Sequence, residues 1–342
     1  MNRRSDRKLL HFVVRRLTLA IPVLGALIVV VFGLVRIGPS PASLIAGPLA
    51  SEAGIKAVED EYGFNKPLFE QFLTYVGNLF RGDWGYSWTT QKDVIEVVRG
   101  GLPITLELVV VSMAISIVFG VLLGTWVSLT KKNRSAVRAM HLLGSIGISV
   151  PIFWLALLLI YFFYAILGVA PPPIGPSALL SGSANGLTGA PLIDAILSAD
   201  LERIGAVAAH MALPVATIVV VMGSAIAVQT QAAIDESRLL PHVRYFEATG
   251  VRRRTVIGSI VRNAAPTFIT FSAASFSLIL GSSALVELVF SWGGLGQLGL
   301  NAMLKSDFAL VQGFVLVVGL ITIAVYFFTD IVVHLMDRRA EL

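Results

Sequence analysis

Six long apolar runs, each the length of a membrane-crossing helix, constrain this chain of 342 residues more than any other feature. A hydrocarbon core about 30 Å thick takes roughly 20 residues of helix. Runs of that kind lie near residues 12 to 36, 104 to 129, 140 to 169, 209 to 233, 265 to 289 and 310 to 335. Lipid offers no partner to a backbone N–H or C=O, so a spanning segment is either a helix or a strand of a closed barrel. Barrel strands are about ten residues long and alternate apolar with polar, and these runs do not alternate. The expectation is an all-α membrane protein with about six transmembrane helices. Composition agrees, since 56% hydrophobic and 14% charged residues leave too little polar surface to cover a soluble globule.

Basic residues set the orientation, because Lys and Arg in short loops stay on the cytoplasmic side. The N-terminal tail with Arg3, Arg4, Arg7, Lys8, Arg15 and Arg16, the link with Lys131, Lys132, Arg134 and Arg138, the stretch Arg238 to Arg262, and Arg338 with Arg339 hold about eighteen of the 26 basic residues. Both termini are therefore expected in the cytoplasm, with long extracytoplasmic loops over 37–103 and 170–208. The formal charge of +5 belongs to this topology and not to a nucleic-acid face, since the basic residues never gather into one patch. The first apolar run is too long for a signal core, and no clear small-residue cleavage site follows it, so it reads as an uncleaved helix.

In the first outer loop, Phe69, Phe72, Leu73, Val76, Leu79 and Phe80 recur at helical spacing and predict an amphipathic helix against the membrane surface. Gly82-Asp83-Trp84-Gly85 reads as a turn. Pro171, Pro172, Pro173, Pro176, Gly182 and Gly186 predict a mostly irregular second outer loop. Gly120 and Gly124 form a small-xxx-small pair that lets helix backbones approach. Pro151 and Pro214 are expected at helix ends or kinks.

Enzyme chemistry is not written in the chain. It carries no G-x-x-x-x-G-K-[ST] loop, no H-E-x-x-H and no G-x-S-x-G elbow. With no Cys there is no thiolate nucleophile or ligand. The five His residues, His11, His141, His210, His242 and His334, are scattered near span ends. Glu107 and Glu287 fall near outer helix ends and Asp330 near an inner one, where water or headgroups are expected within reach. This polar inventory leaves an ion-coupled carrier, a channel and a non-transporting membrane scaffold open.

The stretch from Ala233 to Ala264 is too long for a tight connection and predicts a helix of its own. Pro241 suits the first turn, Leu239, Val243 and Phe246 recur at i, i+4 and i+7, and Gly250 is placed to end it. Glu247 near its C-terminus opposes the helix dipole. Two fates fit such a helix: docking in the groove of a soluble partner, or resting on membrane lipid headgroups.

A series of segments then runs along nearly the whole chain: Phe12-Val-Val-Arg-Arg-Leu17, Tyr62-Gly-Phe-Asn-Lys-Pro-Leu68, Gly82-Asp-Trp-Gly-Tyr-Ser87, Ile104-Thr-Leu-Glu-Leu108, Ser149-Val-Pro-Ile-Phe153, His210-Met-Ala-Leu-Pro214, Arg262-Asn263, Phe290-Ser-Trp-Gly-Gly-Leu-Gly296 and Asp307-Phe-Ala-Leu-Val-Gln-Gly313. In order and spacing it resembles the integral membrane permease subunit of bacterial ABC importers of the dipeptide, oligopeptide and nickel class.

The resemblance implies a type I permease bundle: a tail and first helix over 1–36, an extracytoplasmic loop over 37–103, and a permease core over 104–342 with a cytoplasmic coupling loop at 234–264. It implies a second homologous permease subunit, two ATP-binding subunits and an extracytoplasmic solute-binding protein as partners. ATP and magnesium then belong to the partners, and no cofactor, metal or catalytic residue is expected in this chain. The family's EAA signature maps onto Pro241, Val243, Arg244, Tyr245, Phe246, Glu247, Ala248 and Gly250 as the ATPase-coupling residues. Arg244 stands where the general signature has Glu, Phe246 where it has a small residue, and Gly294 where the later motif commonly has Pro. Glu287, Ser291 and Trp292 are candidates for the pathway or its gate.

Overall fold

A computed structural model of the chain describes residues 3–37, 42, 50–130, 134–176 and 186–336. Lys131, Lys132, Gly182, Arg338 and Arg339, used above for topology and loop character, lie outside the described residues. Two compact units emerge, Met1–Pro103 with Gly294–Ala324, and Ile104–Gly293 with Val325–Leu342.

The first unit opens with α1 (Arg3–Ile37), followed by α2 (Glu52–Tyr62) and α3 (Leu68–Arg81). The expected amphipathic helix is α3. Its Phe72 and Tyr75 meet Phe32 of α1 with ring centroids 5.2 and 5.7 Å apart. Gly82 ends it at φ 84°, with Asp83 N–H donating to Asn78 O and Gly82 N–H to Leu79 O. A two-residue antiparallel ladder follows, β1 (Tyr86–Ser87) on β2 (Lys92–Asp93). The next helix, α4 (Val94–Leu129), begins ten residues before the expected 104, because Val94, Val97 and Val98 already form a buried face. They pack with Leu295 and Ala302 of α12 (Leu295–Leu304) and with Leu310, Val311 and Val317 of α13 (Phe308–Met336).

A buried carboxylate holds this unit's loops. Asp307, fully buried, caps α13 through Leu310 N–H at 3.2 Å, while its second oxygen accepts from Ser87 Oγ and Thr89 Oγ1, both at 2.6 Å. Two of the sequence motifs, Gly82–Ser87 and Asp307–Gly313, are thereby one joint.

The second unit carries the rest of the spans. The third apolar run is not one helix: α5 (Arg134–Ser149) stops, and α6 (Ile152–Leu159) restarts after Pro151 and runs on as a π-helical stretch to Ile166.

 Proline has no N–H to donate, and it pushes the residue before it out of the helical region. The apolar helix Ile152–Ile166, of which α6 forms the Ile152–Leu159 part, is shorter than a bilayer crossing, and five other helices among the described residues are long and apolar enough to span.

The second outer loop is less irregular than the prolines suggest. It contains α7 (Pro191–Leu197), and α8 (Leu201–Ile218) starts eight residues before the expected 209, capped by Asp200 on Arg203 N–H at 3.0 Å. Pro214 sits inside α8, which passes through a π-helical stretch (Val219–Gly223) into α9 (Ser224–Ser237). Then come α10 (Pro241–Ala248) and α11 (Arg253–Val289).

Gly120 and Gly124 do what the small-xxx-small spacing predicts. A Cβ on Gly120 would stand 2.7 Å from Gly223 O, and one on Gly124 would strike Ala227 O, so α4 and α9 meet backbone to backbone.

Candidate functional site

The sequence nominates two places, and both lie in the second unit. The first is α10. Pro241 takes the first helical position, where a missing N–H costs nothing. Gly250 adopts φ 72°, Val251 N–H donates to Phe246 O at 3.0 Å and Gly250 N–H to Glu247 O at 3.4 Å, the paired bonds of a Schellman ending. Phe246 and Val251, the two positions such an ending brings together, pack on the same core.

That core divides the expected coupling residues. Val243 is fully buried, and Leu240, Phe246 and Val251 pack beside it against Ala233 and Ile234 of α9 and Val256, Ile260 and Phe268 of α11. Leu239, expected on this stripe, is instead 65% exposed, and Leu240 takes its place. The apolar stripe is therefore not a face offered to a groove: the chain's own helices already cover it. What α10 presents outward is Pro241, Arg244, Tyr245, Glu247, Ala248 and, past its end, Gly250. Tyr245 is 65% exposed.

Polar bonds hold the approaches to α10. Arg238 Nη1 donates to Ser128 O near the C-terminus of α4 at 2.8 Å, a favourable place for a cation. Ser128 Oγ donates to Asp235 Oδ1 at 2.6 Å.

The second place is the C-terminal end of α11. Glu287 is fully buried and accepts from Thr105 Oγ1 of α4 at 2.8 Å, with Ser283 Oγ at 3.5 Å. Glu107 is also buried, and its two oxygens accept from Leu192 N–H at 3.0 Å and Ile193 N–H at 2.8 Å. A carboxylate at the start of α7 satisfies two donors that have no partner within the helix. The expectation that Glu107 and Glu287 reach water or headgroups is thus corrected: both are enclosed, because backbone and hydroxyl donors replace water around them. The segment Ile104-Thr-Leu-Glu-Leu108 is explained by the same bonds, since Thr105 reaches α11 and Glu107 reaches α7.

Asp194 of α7 completes the loop. Burial raises its carboxyl, but hydrogen bonds from Thr188 N–H and Oγ1 and from Gly189 N–H, with Arg203 nearby, outweigh that and hold it below the usual carboxylate range.

After Glu287 the helix ends in a left-handed turn on a residue other than glycine. Ser291 has φ 48°, Trp292 N–H donates to Glu287 O at 2.8 Å and Ser291 N–H to Leu288 O at 3.2 Å. Gly175 N–H of the Pro-rich segment donates to Ser291 O at 3.1 Å. Of the three gate candidates only Ser291 is exposed. Trp292 is buried and lines a small cavity with Pro172, His210, Leu213 and Phe290.

No local sequence signal marks Thr105, Asp194, Ser128 or Asp235 as bonding residues. Thr105 stands inside the segment Ile104-Thr-Leu-Glu-Leu108, but its partner is 182 residues away in sequence. Among the described residues, no group of three or more His, Cys, Asp or Glu side chains could hold a metal ion.

The family model described as binding-protein-dependent transport system inner membrane component matches residues 116–342, and that for the N-terminal part of such membrane components matches residues 9–109. The dipeptide transport system permease protein DppB of Alkalihalophilus pseudofirmus is 30% identical over 97% of this chain and 100% of its own length. The di/tripeptide transport system permease protein DppB of Pseudomonas aeruginosa is 31% identical over 97% of this chain and 98% of its own. The glutathione transport system permease protein GsiC of Escherichia coli is 29% identical over 94% and 96%.

Proposed function

The chain belongs to the family of binding-protein-dependent transport system inner membrane components, and from that premise we propose that it forms half of the translocation pathway of a peptide importer. It is a permease subunit of an ATP-binding-cassette importer, a multi-pass protein of the bacterial inner membrane, and not itself the catalyst of ATP hydrolysis. The proposed assembly has a second homologous permease, two ATP-binding subunits that hold ATP and magnesium, and an extracytoplasmic solute-binding protein. Short peptides are the proposed solute, in keeping with the named relatives. Both termini and α10 are proposed to lie in the cytoplasm, a reading the distribution of Lys and Arg supports.

The observation that carries the mechanism is the division of α10 into two faces. Val243 and Phe246 bind it to α9 and α11, so a displacement of α10 is delivered to helices that continue into the bundle. Arg244, Tyr245, Glu247 and Ala248 are left for the ATPase. Closing of the ATPase pair on ATP moves α10, and the bundle changes which side it opens to, as a two-state element biased by a ligand in its partner. Glu287, at the opposite end of α11, and Ser291 and Trp292 in the turn after it are proposed as part of the gate that this movement reaches.

The test is uptake of a labelled dipeptide into proteoliposomes, with and without the ATPase subunits and binding protein. Uptake only with all components and ATP is expected. Uptake by this chain alone down an ion gradient overturns the reading in favour of an ion-coupled carrier.

A further inference from the structure

The segment Arg262-Asn263 is not used by the mechanism above, yet Asn263 makes a bond that α10 makes with no other side chain among the described residues. Its Nδ2 donates to Ser259 O, one turn back on α11, at 2.7 Å. The same nitrogen lies 3.1 Å from Nε2 of His242, the second residue of α10. The Ser259 carbonyl decides which end of the amide is which, since Oδ1 in that position would face another oxygen. Both hydrogens of the Asn263 amide are then donors. His242 Nε2 must accept, and the ring proton resides on Nδ1. The His242 ring also meets Phe246 edge to face, with centroids 6.0 Å apart.

The remaining attachment of α10 to α11 is apolar, through Val243 and Phe246. Apolar contact resists separation but is non-directional, so it permits an eight-residue helix to roll about its axis. A hydrogen bond has a preferred direction. We propose that Asn263 is a positioning residue which, through His242, locks the rotation of α10 on α11, so that the Arg244 and Tyr245 face stays aimed at the ATPase and thrust on α10 is delivered to α11. This rests on the coupling role proposed for α10.

The experiment uses the reconstituted importer and reads peptide taken up per ATP hydrolysed. ATP-driven uptake by the parent chain is the control on the coupling role itself: its absence overturns that role and the lock together. Given that control, His242→Leu and Asn263→Leu are each expected to lower the ratio roughly fivefold, the weight of one ordinary hydrogen bond. The double variant is expected to be no worse than either single one, because both remove the same bond. His242→Gln keeps an acceptor oxygen for Asn263 and is expected to hold the parent ratio. An unchanged ratio in His242→Leu overturns the lock while leaving the coupling role intact. Equal losses in His242→Gln and His242→Leu also overturn it, since that pattern belongs to ring packing and not to the bond.

Discussion

The two ends of α11 are held by opposite kinds of chemistry. At the Glu287 end, enclosed carboxylates accept directed bonds: Thr105 on Glu287, and the first amides of α7 on Glu107. At the α10 end, attachment is chiefly a buried apolar seam, and the charged groups of α10 point away from the protein. Removing one partner from an enclosed polar network strands a desolvated group, whereas the outward face of α10 can change at little cost to the fold. A place held by directed bonds and a place held by an apolar seam are thus distinguishable at the two ends of one helix.

The largest expected effect falls on the frame that both ends share. Gly124→Leu has no room against Ala227 O, and about 3 kcal/mol of overpacking is expected, read as loss of the folded monodisperse chain in mild detergent. A normally folded variant would show that the α4–α9 approach is looser than described. Next is Glu287→Leu, which leaves Thr105 Oγ1 without its acceptor. A loss of roughly 2 kcal/mol is expected in thermal unfolding, with Glu287→Gln milder because it keeps an acceptor oxygen. If the two variants are equal, the polar account of that end fails.

Glu107→Ala is expected to cost about 2 kcal/mol locally, seen as faster hydrogen exchange at Leu192 and Ile193 with the α10 amides unaffected. Acceleration at both ends would erase the contrast. Asp194 sharpens it through pH. Its folded carboxyl lies below the ordinary value, so its contribution is complete above the unfolded pKa of about 3.9 and is lost as pH falls through the lower folded value. Protection of Thr188 and Gly189 amides should decline in that acidic window, and Asp194→Asn should abolish the dependence.

The smallest change in stability is expected for Tyr245→Ala, within about 0.5 kcal/mol of the parent, although ATP-driven uptake should fall if its exposed ring meets the ATPase. Because the chain has no Cys, Tyr245→Cys supplies a unique site for cross-linking to that partner. Val243→Ala is the counterpart on the buried face and should lose roughly 1–2 kcal/mol. A stable Val243→Ala beside an unstable Tyr245→Ala would invert the assignment of faces.

Much of this architecture is legible in the residues. Apolar run length determines where helices can span, since bilayer thickness and helix rise are fixed quantities. Local chemistry determines α10, through Pro241 at its start and Gly250 past its end, and it determines the α3 stop at Gly82. The early start of α4 and the presence of α7 were not legible. Each depends on partners distant in sequence: Leu295 and Val311 for Val94, and Glu107 for Leu192.

The sequence by itself therefore determined the class of protein, its family resemblance and the position of α10, because these rest on composition, periodicity and end signals read within one segment. Only the tertiary structure decided that Val243 and Phe246 face inward, that Leu240 replaces Leu239, and that Glu107 and Glu287 are enclosed. Helical spacing says which residues share a face but not what covers that face. A carboxylate near a span end is equally satisfied by water or by donors from another helix, and only packing chooses between them.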